Sequence, residues 1–192
     1  NSQDASIHPG ADDNASGVAS LIEVAEATAS GIASGEFTGR RDLVFAAWSG
    51  EELGFLGSSH WAGPVDPHGT QSAVADRVAA YLNFDMVGRM GDFLSLYGVG
   101  SSPVWPGEIE RANIQRALPI LPQQESQMPT DATVFFNRGV PVLAAFTGAH
   151  SDYHTPDDTP EKLDYASMEK IAELVGAVAI SLSESPERPR FI

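Results

Sequence analysis

Four short segments of this chain set carboxylates and imidazoles where they could act on a ligand. The first, Gly10-Ala11-Asp12-Asp13-Asn14-Ala15-Ser16-Gly17, is a turn leading into a helical pattern, where paired Asp side chains either cap the helix or bind a cation. In the second, Glu51 and Glu52 follow Ser49-Gly50. Adjacent side chains diverge, so one carboxylate can hold a metal while the other faces a bound water as general base. The same pair also suits the first turn of a following helix, whose dipole favours acids. Third, Asp85 ends the apolar run Ala79-Ala80-Tyr81-Leu82-Asn83-Phe84 and needs a cationic partner, either Arg89 or a metal. Fourth, His154 stands among acids in Asp152-Tyr153-His154-Thr155-Pro156-Asp157-Asp158-Thr159. It is either an exposed loop imidazole or a metal ligand whose second ring nitrogen Asp157 or Asp158 orients.

Composition narrows the chemistry. The 192 residues contain no cysteine, which leaves His, Asp, Glu and neutral oxygens as the ligands for any metal. Eleven Lys and Arg against 26 Asp and Glu give a formal charge of -15, which disfavours nucleic acid and anionic membrane surfaces as partners. No apolar run approaches the ~20 residues of a membrane-spanning helix. The chain opens with neither an initiator Met nor an apolar leader, and it reads as part of a longer chain.

The elements that must position these groups alternate in type. Apolar spacing at Val18, Leu21, Ile22 and Ala25 predicts a helix over 14–30 with Gly31 as its stop. The continuous run Leu43-Val44-Phe45-Ala46-Ala47-Trp48 reads as a strand covered on both faces. A short helix over 53–61 follows, then the Pro/Gly-rich loop Gly63 to Gly69, which holds His68. Strands are expected at 79–84, 93–97 and 140–146, a helix over 108–118 closed by Pro119, and a last helix over 164–182. The pattern predicts a three-layer α/β/α sandwich with a mostly parallel sheet, occupying 1–185, with 186–192 as a linker or tail. Ligands of such sheets bind beyond the carboxyl ends of the strands, where the four acidic segments fall.

In this order the motifs at 10–17, Trp-Ser-Gly-Glu-Glu-Leu-Gly-Phe-Leu-Gly-Ser at 48–58, Asn-Phe-Asp-Met-Val-Gly at 83–88 and Asp-Tyr-His-Thr-Pro-Asp-Asp-Thr at 152–159 resemble the dizinc aminopeptidase family. That family includes secreted bacterial leucine aminopeptidases, and the likeness runs nearly end to end. The resemblance implies two zinc ions bridged by Asp13, with Glu52 and His154 completing one site and Asp85 belonging to the other. It implies Glu51 as the base that takes a proton from water and returns it to the leaving amine, and Tyr153 as the phenol that stabilises the oxyanion. Members carry a His-x-Asp segment upstream of the first motif, and its His completes the site of Asp85; without it the second ion is weak or absent. His8 is read as a loop residue rather than its replacement, and His150 as a pocket-lining residue. Ala132 in Thr130-Asp131-Ala132 departs from the family's Ser-Asp-His, with Asp131 left to orient a site residue.

The resemblance further implies removal of the N-terminal residue from peptide substrates, a secreted or periplasmic location, and additional domains in the full-length chain. Carboxypeptidase or dipeptidase specificity, or a catalytically silent binding domain that kept the fold, stand as alternatives. Phe135, Phe136 and Phe146 are read as core before pocket. His60 is read as structural or solvated.

Overall fold

The computed structural model describes residues 6–65 and 73–192, so His68 and the greater part of its loop lie outside the described residues. Four strands, β1 (Tyr81–Phe84), β2 (Leu94–Tyr97), β3 (Ile120–Pro122) and β4 (Val142–Phe146), form one sheet in the order β1-β4-β2-β3. β1 runs parallel to β4 and β2 parallel to β3, while β2 and β4 are antiparallel. Six α-helices among the described residues accompany the sheet: α1 (Gly17–Ser34), α2 (Leu56–Ala62), α3 (Ala73–Arg77), α4 (Trp105–Asn113), α5 (Ala132–Phe136) and α6 (Tyr165–Glu184).

Strand alternation divides the core in two. Leu82, Phe84, Leu94, Leu96, Leu143 and Ala145 face the layer that holds α4 and α6. Their neighbours Tyr81, Tyr97, Val142 and Ala144 face the layer that holds α2, α3 and α5. The expected three-layer α/β/α architecture is therefore present, with its sheet parallel at both outer pairings.

Helix α6 buries Met168, Ile171, Leu174, Val175, Val178 and Leu182, the stripe expected from its periodicity, and Asp164 caps it by accepting from the Ser167 amide. Helix α1 departs from expectation. It runs on to Ser34, and Gly35, at φ 79°, ends it. Gly31 lies inside the helix, where glycine is required because a Cβ would overlap the ring of Phe37. The buried face is Gly17, Ser20, Val24, Thr28 and Gly31; α1 packs on α6, where Val24 lies against Gly176, while Gly17 approaches Asn14 and the Phe84 carbonyl. Val18 and Ile22 are exposed as a result.

The run at 43–48 is not a strand. Val44 is 73% exposed, and the outer edge of β1 has no strand partner among the described residues. An apolar run records only that its residues prefer to leave water; a strand also needs a ladder partner for its backbone. Trp48 instead donates to the Tyr81 hydroxyl at 3.1 Å. The helix expected at 53–61 begins at Leu56, so Glu51 and Glu52 occupy the preceding turn. The helix expected at 108–118 ends at Asn113, whose side chain bonds both the amide and the carbonyl of Leu118 and thereby turns the chain. Residues 186–192 lie against the body, with Arg188 donating to the carbonyls of Ala75, Asp76 and Val78 and Phe191 packed on Phe136.

Candidate metal and catalytic centre

Because β1 and β4 are parallel, Asp85 just past β1 and the loop just past β4 emerge at the same end of the sheet. The start of α1 is tied to that end by Asn14. Its amide donates to the Phe84 carbonyl at 3.0 Å, and its oxygen accepts from the amides of Gly17 and Met86 at 3.2 Å each. Gly17 is required here, since a Cβ would lie 2.3 Å from the Asn14 side-chain oxygen and 2.8 Å from the Phe84 carbonyl. The Asp13 and Asp85 segments are thereby fixed side by side.

One donor atom each from Asp13, Glu52 and His154 lies within 4.8 Å of the others. His154 Nε2 is 2.7 Å from Glu52 Oε1 and 3.0 Å from Asp13 Oδ2. Two carboxylates and one imidazole at this spacing are a donor set that suits zinc. His154 adopts φ 57° and Met86, next to Asp85, φ 49°. Non-glycine residues hold such conformations only where their surroundings enforce them, and these gather at functional sites.

Burial pushes the Glu51 carboxyl up to about 7, and the negative charges of Glu52, Asp131 and Asp13 add to the shift. Burial also raises Asp85 to about 7, reinforced by Asp13 and Glu51. Asp13 is raised for the same two reasons, burial first and then Glu52, with His154 opposing. These mutual repulsions mean that the acids face one another across a shared space, which a cation would stabilise. Tyr153 is 42% exposed, and its ring stacks on His154 with centroids 3.8 Å apart. Burial and the surrounding carboxylates raise its phenol and keep it protonated.

A cleft of about 1560 Å³ opens beside these groups. Asp13, Glu51, Glu52, Asp85 and Tyr153 border it, as do Phe146, Met128 and the 43–48 run. Phe135 touches the cleft yet is 1% exposed and stacks on Tyr81, so it belongs mainly to the core. Phe136 packs on Phe191 instead. Asp131 also reaches the cleft, its carboxylate accepting from the Ser58 hydroxyl.

Three local expectations change. Arg89 does not partner Asp85; it pairs with Asp152 at 2.9 Å and Asp158 at 3.4 Å. Asp158 bonds neither ring nitrogen of His154 among the described contacts, but accepts from the Asp12 and Asp13 amides. Asp12, fully buried, is not a helix cap: it accepts from the Gly88 amide and the Ser16 hydroxyl and meets His150 Nε2 at 3.1 Å. His150 therefore faces Asp12, and His60 lies exposed on α2.

The sequence profile of peptidase family M28 matches residues 3–179. The chain belongs to peptidase family M28. This M28 chain is 28% identical over 215 aligned residues to leucine aminopeptidase 2 of Trichophyton equinum, covering 95% of the chain and 41% of that protein. It is 32% identical over 151 residues to an aminopeptidase of Pseudomonas aeruginosa strain UCBPP-PA14, across 73% of the chain and 26% of the relative. Its fold matches a zinc aminopeptidase from Bacillus subtilis with TM-score 0.75 at 23% identity, covering 94% of this chain and 44% of that one. An aminopeptidase from Aneurinibacillus sp. strain AM-1 matches with TM-score 0.70 at 25% identity, over 96% and 41%. The M28 chain thus spans less than half the length of these relatives.

Proposed function

We propose that this M28 domain is a zinc-dependent aminopeptidase that hydrolyses the N-terminal residue of peptides. The observation that carries this reading is the convergence of Asp13, Glu52 and His154 donor atoms within 4.8 Å, at the side of a cleft that Asp13, Glu52 and Glu51 border. The donor set fits zinc: Asp13, Glu52 and His154 would hold one ion, and Asp13 with Asp85 a second. Zinc bound there would polarise the scissile carbonyl and acidify the attacking water.

The chain's own groups supply the proton traffic. Glu51, raised to about 7, accepts a proton from water near neutral pH and returns it to the leaving amine. The protonated Tyr153 phenol donates a hydrogen bond to the oxygen that gains charge when the carbonyl is attacked. Further domains in the longer protein and a secreted or periplasmic location accompany this reading by family likeness.

The test is hydrolysis of an amino-acid anilide against its N-acetylated form, with chelator and then with zinc restored. Cleavage of the free-amine substrate alone, abolished by chelator and recovered with zinc, supports the aminopeptidase. Release of C-terminal residues from N-acetylated peptides would instead mark a carboxypeptidase. Zinc binding without hydrolysis of any peptide would mark a silent binding domain.

A further inference from the structure

Asp158 is 1% exposed, and its carboxylate is the meeting point of groups from two distant parts of the chain. Its oxygens accept the Asp12 amide at 3.0 Å each, and Oδ2 also accepts the Asp13 amide at 3.0 Å. Its own carbonyl accepts the Ala11 amide at 3.1 Å, so three successive backbone N–H groups ending at Asp13 point at one residue. Arg89 reaches Oδ1 at 3.4 Å with one guanidinium nitrogen and Asp152 at 2.9 Å with another. Asp152 and Asp158 lie on either side of His154 in the chain, and Arg89 follows Asp85 in the segment just past β1.

We propose that Asp158, clamped by Arg89, is a positioning residue that sets the separation of Asp13 and His154 and so the shape of the metal site. The inference rests on the metal centre proposed above. The physical case is one of saturation and constraint. A carboxylate that already accepts from two backbone amides and a guanidinium has little capacity left to be a ligand itself. What it can do is hold the Asp13 backbone at a fixed distance from the loop that carries His154. That loop needs holding, because His154 sits at φ 57° and its side chain is about half exposed. The guanidinium fork serves where a point charge would not, since it engages two carboxylates at once. Buried and ion-paired, Asp158 also avoids the cost of an isolated charge.

Asp158→Asn keeps the size but removes the charge and presents an NH2 group to one of the backbone amides. Partners outside the inner ligand set typically change metal affinity about 10–100-fold. The expected result is a zinc dissociation constant raised by about that factor, read by competition with a chromophoric chelator. The cobalt-substituted protein should show an altered d–d absorption spectrum, and the fold should persist by circular dichroism. Val178→Ala, in the α6 core, is the control: it lowers melting temperature with no change in zinc affinity or cobalt spectrum. If Asp158→Asn binds zinc within about twofold of the unmodified protein, with the same cobalt spectrum, Asp158 has a structural role only and the proposal is overturned. Should Asp158→Asn fail to fold, Arg89→Lys decides by the same two readouts, since lysine keeps the charge and loses the fork. An unmodified protein that binds no zinc overturns the metal centre itself, which is a different outcome from zinc binding that ignores both substitutions.

Discussion

His154 Nε2 lies 2.7 Å from Glu52 Oε1 across 102 positions of sequence, and the same nitrogen is 3.0 Å from Asp13 Oδ2. One ring nitrogen thus addresses two carboxylates from separate loops. A metal bound by all three needs that nitrogen free of its proton, so binding is coupled to deprotonation. His154→Ala and Asp13→Ala are each expected to weaken zinc by more than the ~10–100-fold typical of outer partners. Equilibrium dialysis against a zinc buffer measures this, and unchanged zinc content in both variants would exclude the cluster as a metal site.

Glu51 is next to Glu52 in sequence, yet the turn before α2 gives the two carboxylates separate surroundings. Glu51 is half-buried and raised to about 7, whereas Glu52 meets His154. Glu51→Gln is accordingly expected to keep its zinc and lose about 100–10,000-fold in kcat, the usual span for removal of a general base. A variant with normal zinc content and a kcat within tenfold of the parent contradicts the assignment.

The raised carboxyls also set a pH dependence of stability. Asp85 moves from 3.8 to about 7 and Glu51 from 4.5 to about 7 in the folded chain. Between those values the folded state binds more protons than the unfolded state, so stability falls as pH rises. The contribution is whole below about pH 4 and is lost as pH passes 7. In chelator, the melting temperature should be higher at pH 5 than at pH 8. Asp85→Asn should flatten this slope, and added zinc should shrink or reverse it, because deprotonated ligands bind metal better. A chelated protein that melts higher at pH 8 than at pH 5 would contradict the shared acidic space.

The contacts among these groups explain how much of the site could be read from sequence. The segments that carry Asp13, Glu51, Glu52, Asp85 and His154 stand out as candidates by position, just past an apolar run or in a turn, but position leaves each with a structural alternative and only the family likeness singles these residues out. The α6 stripe was legible because its period is regular and long. Asp158 and Arg89 were not, since their partners are backbone amides and acids far along the chain, and no local pattern encodes a contact such as Asp158 with the Asp12 amide at a separation of 146 positions. The buried face of helix α1 differs from expectation for a related reason: Gly17 is selected by its approach to Asn14 and the Phe84 carbonyl and Gly31 by the Phe37 ring, and such small residues carry little hydrophobic signal. The 43–48 run shows the reverse case, a strong apolar signal without the hydrogen-bonding neighbour that would make it a strand.

The inequality of donors predicts an unequal pair of ions. Asp13, Glu52 and His154 offer three protein ligands, the usual complement of a catalytic zinc, while Asp13 and Asp85 offer two. Zinc titrated into chelator-treated protein should therefore bind in two steps. The first ion should be tighter by at least about tenfold, since a missing inner ligand costs no less than a missing outer partner. Asp85→Ala should abolish the second step and leave the first within a few-fold of its original affinity, whereas His154→Ala should remove the first. Isothermal titration calorimetry resolves the steps. Two ions of equal affinity would mean that a further donor completes the site of Asp85, with His8 the first residue to replace by alanine.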